Sequence, residues 1–168
     1  VLDTDELRAA VTRARELGAV IASDECYAEL NWSGPDPTPS ILDPEVVGDD
    51  RSGVLAVYSL SKQSNLAGYR AAFVAGDRAL IAELLAVRKH AGLLPPAPIQ
   101  EAMIVALADE AHVAAQRELY RARRARLAPA LRRAGYRIDH SEAGLYLWAT
   151  TGQEIGRASC RERVSRCV

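Results

Sequence analysis

The sequence predicts an α/β fold, because short apolar runs typical of buried strands alternate with amphipathic helical segments. The strand candidates are residues 19–23, 54–58 and 70–75, and the clearest helices are residues 4–17 and 77–90. Since a helix and a nearly all-apolar strand open the chain, a parallel sheet covered on both faces is already in progress there. We therefore expect earlier parts of the domain to precede this sequence.

The first helix begins with Thr4 as the expected N-cap and carries acidic residues in its first turn. Gly18 supplies the stop before the first strand. Residues 31–53 are rich in proline, aspartate, glycine and serine, which predicts a long surface connection. The run Arg70–Ala75 then reads as a third buried strand, closed by Gly76.

A proline-rich stretch over residues 93–98 ends the helix 77–90 and starts another helix that continues to about Ala108. A longer helix is predicted over residues 110–134, with a kink at Pro129. Two short strand candidates follow, at residues 136–139 and 144–150. Leu145 and Leu147 alternate with Tyr146 and Trp148, which favours strand packing over a substrate contact for this segment.

Composition describes a globular chain of about one domain. Of 168 residues, 49% are hydrophobic and 26% are charged, so a packed core can form. The net charge of −1 leaves no basic surface for nucleic acid or an anionic membrane, and the sequence contains no membrane-spanning run. The three cysteines are too scattered for a disulfide framework. We therefore expect a small cytoplasmic globular protein that binds neither nucleic acid nor membrane.

Polar residues follow the predicted strands at one edge of the sheet. Asp24 comes directly after strand 19–23, and Lys62 lies in the loop that leaves strand 54–58. About 30 residues connect these strands, enough for a crossover, so a parallel pair is plausible. Ligands in open α/β sheets bind beyond the carboxyl ends of such strands.

The next connection, residues 59–69, is too short for a helical crossover. The strand that starts at Arg70 should therefore run antiparallel and begin at the same edge. This arrangement can bring together six polar side chains: Asp24, Tyr27, Ser59, Ser61, Lys62 and Arg70.

These residue types suit pyridoxal phosphate. Two hydroxyls and a guanidinium can bind a phosphate, and a deprotonated lysine can form an imine with an aldehyde. A carboxylate can keep a pyridine nitrogen protonated. A phenol beside the imine can donate to the ring hydroxyl oxygen.

Two segments carry a family resemblance: SDECYAEL at residues 23–30 and YSLSKQSNLAGYR at residues 58–70. They resemble the cofactor motifs of the class I/II aminotransferases, which are fold-type I pyridoxal-phosphate enzymes. The resemblance implies Lys62 as the Schiff-base lysine and the base of the proton shift. It also implies Asp24 on the pyridinium nitrogen and Tyr27 on the ring hydroxyl oxygen. The implied phosphate ligands are Ser59, Ser61 and Arg70.

The resemblance covers residues 1–153 and implies two partial domains. Residues 1–109 would be the C-terminal part of the large cofactor-binding domain, whose mostly parallel sheet contains one antiparallel strand. Residues 110–153 would begin the smaller α+β domain. Residues 154–168 resemble translated vector or adaptor sequence. Because the family's substrate-carboxylate arginine and ring-stacking aromatic have no counterpart here, we expect this chain alone to be inactive.

The segments at residues 84–103 and 141–150 are similar to actinobacterial N-succinyldiaminopimelate aminotransferases of lysine biosynthesis. That resemblance implies glutamate as amino donor, small amino-acid and oxo-acid substrates, and a homodimer. Two alternatives remain. One is another pyridoxal-phosphate reaction, such as a C–S lyase or a different aminotransferase. The other is a non-catalytic sensor domain of a transcription regulator.

Several residues are interpreted as structural. The chain's histidines, His90, His112 and His140, have no mutual metal-ligand spacing, so solvated or capping roles are expected. Cys26 is expected to pack as a small hydrophobic residue, and Cys160 and Cys167 form no recognisable metal motif without histidine partners.

Overall fold

The computed structural model describes residues 2–34 and 37–152. The helices are α1 (Thr4–Glu16), α2 (Pro44–Val47), α3 (Leu60–Gln63), α4 (Arg78–His90), α5 (Ala97–Leu107) and α6 (Glu110–Arg133). The strands are β1 (Ile21–Asp24), β2 (Val54–Ser59), β3 (Ala72–Gly76), β4 (Arg137–Asp139) and β5 (Trp148–Thr150). A single 3₁₀ turn, Ala67–Tyr69, lies between α3 and β3. The α/β prediction is confirmed.

The larger sheet has the strand order β1-β2-β3. β1 and β2 pair in parallel, with Ile21 beside Val54. β2 and β3 pair antiparallel, with Ser59 beside Ala72. Both strand directions agree with the expectation drawn from connection length, because only the longer connection permits a crossover.

A hydrophobic cluster lies where α1 and α2 pack near β2. Its buried members are Leu7, Val11, Ile41, Val46, Val47, Val54 and Ala56. Val46 and Val47 enter this core from α2, which begins at Pro44, a residue that suits the first turn of a helix. The sequence prediction of an irregular connection over residues 31–53 missed this short helix, whose single turn carries no helical periodicity.

Strand burial differs from the prediction that all three strands are covered on both faces. β2 is buried over its first half, but β1 alternates between half-buried and exposed residues. In β3, Phe73 and Val74 are 36% and 38% exposed. The reason is position, since within the described residues β2 alone has a strand on each side, and β1 and β3 form the sheet edges.

Two local expectations are corrected. Asp3, rather than Thr4, caps α1, because its carboxylate accepts from the Glu6 N–H while the Glu6 carboxylate accepts from the Asp3 N–H. Lys62 lies in α3 rather than in a loop. Ser59 makes this turn possible by capping it, and Leu60 anchors it with a fully buried side chain.

The described chain divides into two compact units. One contains the described residues up to Arg121 with Glu142–Leu145, and the other contains Ala122–Ser141 with residues 146–152. In the second unit β4 and β5 pair antiparallel, and the Arg124 guanidinium donates to Ser141. The side chains of Tyr146 and Trp148 are 72% and 73% exposed and alternate with the half-buried Leu145 and Leu147, and Trp148 lies in β5.

No helix among the described residues is both long and apolar enough to cross a membrane. The sequence-based interpretation of residues 154–168, with Cys160 and Cys167, lies outside the described residues.

A glycine at the end of β3 gives a test of the sheet. Gly76 has a φ of 135°, and a Cβ placed there would lie 2.2 Å from the Val54 carbonyl oxygen. Because backbone rather than a flexible side chain is in the way, we expect Gly76→Ala to lower the free energy of unfolding by more than about 2 kcal/mol. Urea unfolding followed by circular dichroism measures the change.

The matched control is Gly92→Ala, where φ is 68° but nothing lies within 4 Å of the added carbon. That substitution should lower the free energy of unfolding by only about 1–2 kcal/mol, the cost of holding alanine in the left-handed conformation. Equal losses for the two variants would contradict the close approach of β3 to β2.

Candidate functional site

The carboxyl ends of β1 and β2 meet at one sheet edge because the two strands are parallel. Asp24 ends β1 beside Val57, and Ser59 ends β2. Arg70 stands two residues before β3, whose first residue pairs with Ser59. The backbone therefore places Asp24, Arg70 and the residues of α3 at this edge, as the sequence predicts.

The Asp24 carboxylate lies at the turn that follows β1. Its Oδ1 accepts from the Cys26 N–H at 3.1 Å, and the side chain also interacts with the Cys26 thiol. Burial, followed by the hydrogen bond between the Cys26 thiol and the Asp24 side chain and by the negative charge of Asp24, raises the pKa of this thiol to about 11. The positive charge of Lys62 acts on the same thiol and lowers its pKa. Asp24 and Lys62 therefore both lie close enough to Cys26 to act on its thiol, with opposite effects.

The two serines form one hydrogen-bonded unit at the start of α3. Ser59 Oγ accepts from the Ser61 N–H at 3.2 Å and lies 2.9 Å from Ser61 Oγ. Ser59 Oγ also lies 3.3 Å from the carbonyl oxygen of Ala71, at the entry to β3. The hydroxyls thus join the end of β2 to the start of β3, and Lys62 follows them in the same helical turn.

Arg70 adopts the left-handed conformation, with φ of 53° and ψ of 34°. Its Nη1 donates to the carbonyl oxygen of Ala67 at 3.1 Å, and the residue is exposed. Asn65 has the same φ of 53°. Left-handed residues other than glycine are energetically costly and concentrate at functional sites, so the loop from Asn65 to Arg70 is a candidate binding loop.

Tyr27 and Asp24 share a cleft of about 360 Å³ whose other lining residues include Ser23, Thr38 and Ala143. Lys62 is not among the lining residues of this cleft. The structure therefore brings Asp24 and Tyr27 to one cavity, and it brings Ser59, Ser61 and Lys62 together in the adjacent turn.

Glu25 is a residue that the sequence reasoning missed. Its carboxylate accepts from Ser40 Oγ and from the Ile41 N–H, both at 2.7 Å. These bonds tie the turn after β1 to the loop before α2. The signal is weak in the sequence, because an acidic residue beside Asp24 could equally face solvent.

His112, for which the sequence predicts a solvated or capping role, is half-buried and contacts two side chains that the sequence did not identify as its partners. Its Nε2 lies 2.8 Å from Ser64 Oγ, and its Nδ1 lies 3.2 Å from Asp109 Oδ2. The spacing of Asp109 and His112 at the start of α6 was the available signal, since residues three apart face each other on a helix. Across the described residues, no group of three or more histidine, cysteine or acidic side chains is placed to hold a metal ion.

The fold and this polar edge define an α/β chain with a candidate cofactor site beyond parallel strands. The family model for aminotransferase class I and II matches residues 1–164. The chain belongs to this family, and the predicted resemblance is confirmed. Members of the family depend on pyridoxal phosphate.

Three known proteins illustrate the similarity. A probable aminotransferase of Mycobacterium tuberculosis is 57% identical over 91% of this chain and 36% of its own length. The 4-dedimethylamino-4-oxo-anhydrotetracycline transaminase of Streptomyces rimosus is 56% identical over 91% of this chain and 42% of its own length. The solved N-succinyldiaminopimelate aminotransferase of Mycobacterium tuberculosis gives a TM-score of 0.73 at 30% identity, covering 86% of this chain and 37% of that one. The chain therefore spans less than half the length of each.

The opposite effects of Asp24 and Lys62 on Cys26 give a test of the site geometry. Because the thiol pKa is raised to about 11, little thiolate exists at pH 8.5 and alkylation should be slow. Asp24→Asn should lower the thiol pKa and speed alkylation several-fold, whereas Lys62→Gln should raise the pKa and slow it. Iodoacetamide labelling, with mass spectrometry of the Cys26 peptide, measures the rates.

The control is Asp5→Asn, whose side chain on α1 is 88% exposed. This substitution should leave the Cys26 rate unchanged. Alkylation rates that shift in the same direction for the Asp24 and Lys62 variants would contradict the opposite effects of these two charges on the thiol pKa.

Proposed function

We propose that this chain supplies one wall of the pyridoxal-phosphate site of an aminotransferase, with Lys62 as the lysine that binds the cofactor. The observation that carries the proposal is the parallel pairing of β1 and β2, which places Asp24 at the same sheet edge as the turn that carries Lys62. Ligands of open α/β sheets bind at such an edge. The family match supports the same assignment.

The donor set at this edge fits the chemistry of the cofactor. A phosphate accepts hydrogen bonds, and the hydroxyls of Ser59 and Ser61 with the Arg70 guanidinium are donors of that kind. Arg70, in the left-handed conformation, is two residues before Ala72, which pairs with Ser59 across β3 and β2. These three side chains would hold the phosphate.

The remaining side chains have distinct tasks in the proposed reaction. When bound, pyridoxal phosphate supplies an electron-withdrawing ring that accepts charge as the amino acid loses its α-proton. Asp24 would keep the ring nitrogen protonated, and Tyr27 would donate to the ring hydroxyl oxygen. The Lys62 amine would accept the proton that leaves the substrate α-carbon and then donate it in the proton shift. Its place in the same turn as the half-buried Ser59–Ser61 unit keeps it close to the phosphate-binding hydroxyls.

We propose that the enzyme transfers the amino group of glutamate to a keto acid and thereby forms N-succinyldiaminopimelate, in lysine biosynthesis. The structural similarity to N-succinyldiaminopimelate aminotransferase supports this choice. The 56% identity to the Streptomyces rimosus transaminase favours a second candidate, amino transfer to a polycyclic ketone. Assays of the two keto substrates with glutamate separate these candidates, and turnover of either would exclude the sensor-domain alternative.

The boundary between large and small domains at residues 109 and 110, the homodimer and the cytoplasmic location remain proposals. They derive from sequence resemblance and composition alone.

The role of Lys62 is testable in a chimera that replaces the matching segment of the Mycobacterium tuberculosis relative with residues 1–153. Lys62→Ala should abolish covalent cofactor attachment and lower amino transfer at least about 100-fold, because it removes both the attachment point and the base. Borohydride reduction followed by peptide mapping locates the attachment.

Lys89→Ala is the matched control, since Lys89 lies in the last turn of α4 and should leave attachment and transfer intact. Finding the reduced cofactor on Lys89 and none on Lys62 would overturn the assignment.

Substitutions of Arg70 and Asp24 should impair different steps in the same chimera. Arg70→Ala should weaken cofactor binding by about 1.5–3 kcal/mol, because one charge-assisted contact to phosphate is lost. Asp24→Asn should instead lower turnover at saturating cofactor, since the ring nitrogen loses its charged partner. Cofactor titration by absorbance and the transfer rate measure the two effects.

Arg78→Ala, an exposed substitution at the start of α4, is the control for charge alone. Unchanged turnover in the Asp24 variant would mean that this carboxylate does not act on the ring.

A further inference from the structure

Ser64, His112 and Asp109 form a continuous hydrogen-bonded row outside the proposed cofactor site. Ser64 Oγ lies 2.8 Å from His112 Nε2. The other ring nitrogen, Nδ1, lies 3.2 Å from Asp109 Oδ2. A nucleophile within hydrogen-bond distance of a base, itself oriented by a third group, is the geometry of nucleophilic catalysis.

Asp109 fixes the tautomer that such a reaction needs. An ionised carboxylate can only accept hydrogen bonds, so in the neutral imidazole Nδ1 carries the hydrogen. Nε2 is then left as the acceptor for the Ser64 hydroxyl. Asp109 is itself held in place, because its Oδ1 accepts from the Ala111 N–H at 3.0 Å at the start of α6.

The backbone around Ser64 is turned sharply. Ser64 ends α3 with φ of −108° and ψ of 5°, and Asn65 follows in the left-handed conformation. The N–H groups of Ser64 and Leu66 both donate to the Leu60 carbonyl oxygen. Between them, in the described part of the chain, the Asn65 N–H makes no backbone–backbone hydrogen bond. It remains available to stabilise negative charge next to the serine.

All three side chains line a cleft of about 470 Å³. Its walls are mostly apolar, with contributions from Leu66, Ala102 and Val105. The carboxylates of Glu101 and Asp109 also line it. Their negative charge disfavours an anionic ligand, so the cleft suits a small uncharged molecule with a short apolar group.

We propose that Ser64, His112 and Asp109 form an acyl-transfer site that hydrolyses small uncharged carboxylic esters. Ser64 Oγ bonds to the ester carbonyl carbon while its proton passes to His112 Nε2. The carbon–alkoxy bond breaks, and the alcohol leaves with that proton. Water then attacks the acyl-serine, giving its proton to Nε2, and release of the carboxylic acid returns the proton to Ser64. No oxidant or cofactor is required, so the activity is independent of pyridoxal phosphate.

The test uses the 168-residue chain without cofactor. A fluorophosphonate probe should label Ser64, as identified by peptide mass spectrometry, and p-nitrophenyl acetate should be hydrolysed. Ser64→Ala should abolish both. His112→Gln should slow labelling at least about 100-fold, because the general base is lost. Asp109→Asn should slow it at least about tenfold, while asparagine still caps α6.

The controls are Ser33→Ala and His90→Gln, both exposed positions, which should leave labelling and hydrolysis unchanged. Circular dichroism of each variant confirms that the fold is retained. Labelling of Ser64 that is equally fast in His112→Gln and wild type would overturn the proposal. So would the absence of Ser64 labelling, or ester hydrolysis no faster than with free imidazole. The Lys62 experiment is independent of all these outcomes.

Discussion

Backbone hydrogen bonds between β1 and β2 hold Ile21 beside Val54 and Asp24 beside Val57. This parallel register determines which residues meet at the sheet edge. A shift of one residue would turn every side chain of β1 to the opposite face. With the observed register, Asp24 ends β1 close to where Ser59 ends β2 and begins the turn that carries Lys62. The proposed acid and amine are therefore placed by strand pairing rather than by direct contact.

The single turn of α3 connects the two proposed sites. Leu60 fixes the turn in the core with no exposed surface, and Ser59 caps its beginning. The positive charge of Lys62 acts on the Cys26 thiol next to Asp24, whereas Ser64, which ends the turn, is bonded to His112. A helix this short has little stability of its own, so these tertiary anchors hold it. The same contacts that position Lys62 also position Ser64.

Sequence reasoning succeeded where chain length restricts topology. The long connection before β2 and the short one before β3 were sufficient to predict their directions, and the strand residues followed from apolar runs. It failed where partners are distant in sequence. Neither the Glu25 bonds to the loop before α2 nor the approach of His112 to Ser64 leaves a periodic signal. Apolar composition also overstated the burial of β1 and β3, because it does not reveal which neighbours a strand has.

The phenol end of the proposed site depends on contacts of that distant kind. The chain leaves the sheet after Asp24, and residues 142–144, far along the sequence, bind the segment that follows Tyr27. Trp32 donates from its backbone N–H to the Glu142 carbonyl oxygen and from Nε1 to the Gly144 carbonyl oxygen, both at 2.7 Å. Arg117 Nη2 donates to the carbonyl oxygens of Asn31 and Gly34 at 2.5 and 2.6 Å. Asp24 is thus held by the sheet, whereas Tyr27 is held by a loop that α6 and residues 142–144 stabilise. Substitutions in α6 or in residues 142–144 should therefore displace the Tyr27 side chain more than that of Asp24.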